Sequence, residues 1–172
     1  MPTGDKLAWL DQADARVTEC VRTYGVYIQY VGGGRCAAPG CSLGDPLGED
    51  GEPPFAYTVG LFGLHHPELV TVGLSVETAA ALLNHVARRV MEGQDLIPGA
   101  LLTFEEWQHS VVPEVLPNPG QVLFTANRYY RRPDHASVPA LQLTYDDVTG
   151  RFPWEEGYAA PDKQPRPGTW SA

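Results

Sequence analysis

What the 172-residue chain lacks narrows it quickly. It has no run of about 18 apolar residues, the length a helix needs to cross a bilayer, so no membrane span is expected. Its start, MPTGDKLAWLDQADARV, has neither a basic leader nor an apolar stretch behind it. No secretory signal is therefore expected, and the cytoplasm is the default compartment. Positive charge is scarce: 12 Lys and Arg face 21 Asp and Glu, for a formal net charge of −9. A general nucleic-acid binder needs a basic face for the phosphates, so nucleic acid is not an expected partner. The densest basic cluster, RYYRR at 128–132, reads as a solvated helix end where arginines favour the dipole.

Cysteine is also sparse. Cys20, Cys36 and Cys41 cannot build a disulfide framework, and a reducing compartment would not sustain one. The pair in RCAAPGC could supply half of a zinc site, but a closed site wants four ligands and no further pair is in sight. Nor is CxxxxC the CxxC of an oxidoreductase. Two ordinary thiols are expected, and no metal site is assigned. The glycine triplet at 32–34 lacks the Lys-Ser/Thr of a phosphate loop, and there is no G-x-S-x-G elbow or dinucleotide fingerprint. The cofactor, if there is one, is unknown from sequence, as is the oligomeric state.

Breakers, by contrast, abound. Gly and Pro supply 34 of the 172 residues, which predicts many loops and short elements. With 43% hydrophobic and 19% charged residues the chain nevertheless has the composition of a folded protein of one domain. From about Asp5 to Tyr24, the residues Leu7, Leu10, Val17, Cys20, Val21 and Tyr24 recur at helical spacing. VYIQYV (26–31) reads as a strand. Residues 32–54 form a long Gly/Pro-rich surface loop, acidic in its second half, which could dock on a basic surface but is explained as well by solvation. FAYTVGLF (55–62) alternates, and the nearly all-apolar ELVTVGL (68–74) predicts a strand covered on both faces. Ser75 caps the clearest helix, VETAAALLNHVARRVMEG. LLTFEEW (101–107) and VVPEVL (111–116) are predicted as strands or extended pieces, the second at an edge because of Pro113. A helix is expected from Asn118-Pro119 through RYYRR. PALQLTYDDVTGRFPWE predicts a strand, a polar turn and a short return strand, and residues 159–172 an extended tail. The sum is an α+β domain: a mixed or antiparallel sheet with about three helices packed on one face.

FAYTVGLFGLHHPELVTVGLS, AAALLNHVARRV, PALQLTYDDVTGRFPWEEGY and QPRPG follow one another in this order. In these words the chain resembles the family catalogued as domain of unknown function 4262, over roughly residues 26–168. Its members share a YTVGL strand, a short loop ending in HPEL, a second strand, a Leu-Asn helix and a late LQL…GxFPWE segment. The resemblance implies this order of elements and carries no established activity. The loop holding Cys36 and Cys41 is longer than in the shortest members.

Two segments hold the candidate chemistry. GLHHPE (63–68) offers His65, His66 and Glu68, and a histidine serves as acid, base or metal ligand near neutral pH. Against that stands a plain turn, in which one ring bonds backbone and the other meets solvent. FPWEEGY (152–158) sets Trp154 beside Glu155, which suits a planar or cationic ligand and suits plugging the sheet end equally. Tyr57 and Gln142 are polar positions in apolar strands, so each must bond a neighbour or face a pocket. The expected function is a module that binds a small molecule or protein partner in a pocket between GLHHPE and FPWEEGY, with Tyr57, His65, Gln142, Trp154 and Glu155 as ligand contacts. The alternative is a hydrolase or lyase in which His66 works with Glu68 or Glu155, with or without a metal.

Overall fold

The computed structural model describes residues 4–32, 53–159 and 161–172. Cys36, Cys41 and the acidic run at 45–52 lie outside the described residues. Helix α1 spans Gly4–Tyr24, strand β1 Tyr27–Val31 and strand β2 Phe55–Val59. A 3₁₀ turn, Leu61–Leu64, leads to β3 (Glu68–Val72) and α2 (Val76–Met91). Strand β4 (Val111–Val115), α3 (Phe124–Tyr129) and β5 (Ala140–Tyr145) complete the fold. The strands form one mixed sheet in the order β1-β2-β3-β5-β4. Every pairing is antiparallel except β3 with β5, where Glu68 lies opposite Ala140 and Val70 opposite Gln142. No described helix is long and apolar enough to cross a membrane.

The three inner strands β2, β3 and β5 are buried at every residue. A sheet buried on both sides needs two covering layers, and the helices divide accordingly rather than sharing one face. On one face α2 presents Ala79, Leu82, Leu83, Val86, Ala87 and Val90 to Ala56, Leu69, Leu141, Leu143 and Tyr145. The Ser75 hydroxyl caps this helix by accepting the Thr78 N–H at 3.3 Å, as its sequence predicts. On the other face Phe55, Tyr57, Val59, Val70 and Val72 meet Val17 of α1 and Ala126 of α3. Each fully buried aliphatic side chain contributes roughly 1.5–3 kcal/mol.

Local chemistry accounts for the departures from the sequence expectations. LLTFEEW is not a strand. Only Leu102 bridges to Val111, through backbone hydrogen bonds of 2.7 and 2.9 Å, and residues 103–110 form a loop pinched at that base. Strand β4 is the sheet edge that Pro113 foretold, with β5 on one side only. The helix expected from Asn118 is broken: a 3₁₀ turn at Pro119–Gln121 is followed by non-helical Val122 and Leu123 before α3 begins. Gly120 packs so closely on the Asp134 carbonyl that a β-carbon there would collide with it. Leu61 leaves the β2 alternation for the 3₁₀ turn, and GRFPWE forms turns instead of a return strand.

Leu83 is fully buried at the centre of the α2 face. Its replacement by Ala is expected to cost about 2–5 kcal/mol, read as a lowered urea midpoint at unchanged slope. A loss below about 1 kcal/mol would mean that α2 is not seated on the sheet in this way.

Candidate functional site

The histidine corner is built around a buried carboxylate. Glu68 is fully buried, and its Oε1 accepts the N–H groups of Gly60 at 2.8 Å and Phe62 at 3.0 Å. Its Oε2 accepts the Thr58 hydroxyl at 2.6 Å and the Leu61 N–H at 3.3 Å. The Thr58 oxygen in turn accepts the Leu69 N–H at 2.9 Å. Gly60 makes the turn possible, with φ of 138° in a region that side chains rarely adopt. Burial pushes the Glu68 carboxyl up to about 7, against the opposing pull of its four hydrogen bonds.

His66 is buried, and its Nδ1–H donates to the Pro67 carbonyl at 2.7 Å. His65, left-handed at φ 61°, is exposed. One ring therefore bonds backbone while the other meets solvent. Tyr130 packs edge-on against Phe62 at 4.9 Å, and its hydroxyl accepts the Gly63 N–H at 3.2 Å. Arg132 lies over the other aromatic neighbour of the corner, 5.6 Å from the Phe62 ring. The RYYRR cluster thus braces the GLHHPE turn.

FPWEEGY lies elsewhere. The corner leads into β3 while FPWEEGY follows the far end of β5, and these strands are parallel. Among the described residues no hydrogen bond, ion pair or aromatic contact joins one segment to the other. Trp154 is 46% exposed, but Phe152 stacks on its ring at 4.8 Å and the Arg166 guanidinium lies over it at 5.1 Å. Glu155 accepts the Phe152 N–H at 2.7 Å and closes its own turn. Tyr57 and Gln142 each bond neighbours: the Tyr57 hydroxyl accepts the Thr125 N–H at 2.9 Å. The Gln142 amide donates to the Pro165 carbonyl at 2.9 Å and accepts the Trp170 indole N–H at 3.0 Å.

A different constellation combines a cavity with fixed polar chemistry. The pinched loop 103–110 lines an open, solvent-facing concavity of about 440 Å³. Within it, the Nδ1 of His109 lies 2.8 Å from Oδ1 of Asp146 and 3.1 Å from the Asp146 carbonyl. Both partners can only accept, so Nδ1 carries a proton directed at Asp146. Asp146 is 8% exposed and His109 18%, and the same Oδ1 also accepts the Ser110 N–H at 3.2 Å. Trp107 flanks the imidazole at 4.9 Å, Phe104 packs on Trp107 at 5.7 Å, and Tyr145 stands behind at 6.3 Å.

The neighbouring Asp147 has a separate task. It accepts the Thr149 N–H and hydroxyl, the Arg151 N–H and the Ala159 N–H, all within 3.0 Å. The Thr149 hydroxyl leads the interactions that hold its carboxyl far below the usual range. One aspartate therefore folds the DDVTG turn while the other fixes an imidazole. Sequence reasoning missed the pair because 37 positions separate its members. The available signal was a lone histidine in an acidic, aromatic loop together with two aspartates ending a strand.

The family model described as "Domain of unknown function (DUF4262)" matches residues 20–159. No curated protein and no solved structure matches the chain.

The corner also makes a prediction about pH. Burial holds the folded Glu68 carboxyl up at about 7, above its ordinary 4.5, so the folded state holds its proton more tightly. The resulting stabilisation is full below about pH 4.5 and is lost as pH rises through 7. Urea denaturation is expected to show a decline on the order of 2–3 kcal/mol between pH 5 and pH 8 from this group. Glu68→Gln should remove that component at a lower overall stability. An equal decline in the variant would assign the pH dependence to other groups.

Proposed function

Because the chain belongs to the DUF4262 family, whose description assigns no activity, we propose on geometric grounds that it is a small-molecule or partner-binding module whose ligand sits in the concavity of loop 103–110. The observation that carries this reading is the His109–Asp146 pair, an imidazole fixed by a shielded carboxylate at 2.8 Å beside an aromatic wall. A fixed polar group beside the ring faces of Phe104 and Trp107, in a concavity otherwise lined by polar side chains, can orient a ligand. On this reading His66 and Glu68 carry the sheet corner, since their hydrogen bonds run to the corner's own backbone and Thr58. Tyr57 and Gln142 act as internal struts, and Trp154 and Glu155 order the segment after β5.

A hydrolase or lyase is the second reading, and the same pair favours it with His109 in the place first given to His66. An imidazole oriented through Nδ1 by a carboxylate, with Nε2 available, has the geometry of a general base. What the described residues add no support for is a metal-assisted version: no group of three or more His, Cys, Asp or Glu residues among them could hold an ion.

A thermal-shift screen of metabolites tests the binding reading. Ligands are expected to raise the midpoint of the wild type and of Trp154→Ala, and to lose that effect in Trp107→Ala and His109→Ala. If no ligand stabilises the wild type, or if stabilisation survives Trp107→Ala, the site is wrong. Catalysis would appear instead as turnover of a ligand found this way, with a fall of about 10²-fold or more in His109→Ala.

A further inference from the structure

We infer that the 103–110 concavity selects an organic cation rich in N–H donors, of the guanidinium or primary-ammonium class; this rests on the binding reading above and names the ligand chemistry of the same site. The first reason is the hydrogen-bonding polarity of the imidazole. The Nδ1–H of His109 is committed to Asp146, and in the neutral form of the ring Nε2 is then purely an acceptor. An acceptor selects a donor. The walls supply the second reason. Phe104 and Trp107 line the recess, and ring faces attract cations while repelling anions.

Charge at the rim points the same way. Glu105 and Glu106 are exposed on the lining of the concavity, and neither joins an ion pair among the described residues. The Asp146 carboxylate stands behind the imidazole. Facing the loop from α2 are His85, whose ring packs on Phe104 at 5.2 Å, and Arg89. Arg89 is itself the strongest precedent. Its guanidinium lies 5.0 Å from the Phe104 ring centroid while its Nη2–H donates to the Thr103 carbonyl at 3.0 Å. The loop already holds one guanidinium by an aromatic face together with an oxygen acceptor. Trp107 with Nε2 of His109 repeats that combination inside the recess. A neutral planar ligand would use the indole and leave the two carboxylates without a role, whereas an anion would be repelled by them.

The test is calorimetric titration of the full chain with matched probes. Agmatine and acetyl-arginine amide carry the cation, one as a free metabolite and the other as a side chain on a peptide backbone. Acetyl-citrulline amide is the neutral isostere. Either cationic probe is expected to bind at least about tenfold more tightly than the citrulline compound, a difference of about 1.4 kcal/mol. Stronger binding of agmatine would identify a free amine as the ligand source; stronger binding of the arginine amide would identify a partner's side chain. The double variant Glu105→Gln/Glu106→Gln changes only exposed residues and should keep the wild-type thermal midpoint while losing most of the cation preference. Equal binding of the charged and neutral probes, or an undiminished preference in the double variant, overturns the inference. Uncharged ligands that protect the wild type and not Trp107→Ala would leave the binding reading standing while removing this one. Absence of binding by any compound would remove both.

Discussion

The fold turns on one buried carboxylate. Glu68 begins the central strand β3 and binds the end of β2 through Thr58 and the following turn through three backbone N–H groups. Its own N–H donates to the Pro139 carbonyl at 2.9 Å, which starts the parallel pairing with β5. Those three turn N–H groups would otherwise be orphaned where the chain reverses, and supplying them with acceptors from solvent is closed off by burial. A single side chain therefore sets the β2–β3 reversal and the register at the centre of the sheet. Its placement also fixes the backbone of the turn that carries the two histidines. The corner they occupy is tightened from beneath by Glu68 and from above by Tyr130, leaving His66 directed at its own backbone.

Much of this was legible wherever the signal is local. The period-2 run in β2, the unbroken apolar run of β3, the Ser75 cap and the Pro113 edge each express a constraint acting within a few residues. The same local logic failed at LLTFEEW, whose apolar and aromatic content resembles a strand. There Phe104 and Trp107 are partly buried by folding back on the α2 face, not by alternating along an extended chain. Tertiary burial overrode propensity, as it commonly does for aromatic segments. The distribution of helices over two faces was written in the burial pattern of β2, β3 and β5, which left no solvated side for the sheet to show.

The candidate site was harder to read because its chemistry comes from partners far apart in sequence. GLHHPE and FPWEEGY drew attention as dense words, and the contacts of each run to nearby groups: Glu68 to its turn, Glu155 to Phe152, Trp154 to Phe152 and Arg166. The His109–Asp146 contact joins positions 37 apart, and neither residue stands in a motif. Buried polar residues are the better guide. Gln164 shows the same principle from the C-terminal segment, donating to the Tyr145 carbonyl at 2.8 Å and accepting the Tyr145 N–H at 2.9 Å on the free side of β5. That saturated backbone fixes the strand end from which Asp146 extends.

A physical reason follows for the site's position. Strand β5 is paired with β3 over Ala140–Gln142 and with β4 over Leu141–Tyr145, and its final residue is held by Gln164 and by the Tyr145 hydroxyl donating to the Val72 carbonyl at 2.8 Å. The residue just beyond such a strand has a backbone it cannot shift, so its carboxylate is held within a narrow range. Loop 103–110, pinched at Leu102–Val111 and packed on α2 through Phe104, presents His109 to that carboxylate. Rigidity on both sides is what turns an ordinary hydrogen bond into a preorganised one, because the ordering cost falls on folding and not on the ligand. At the corner on the other end of the sheet the carboxylate is instead spent on the turn itself, with Glu68 accepting three backbone N–H groups and the Thr58 hydroxyl. At the β5 end the imidazole fixed by Asp146 has no partner at Nε2 among the described residues.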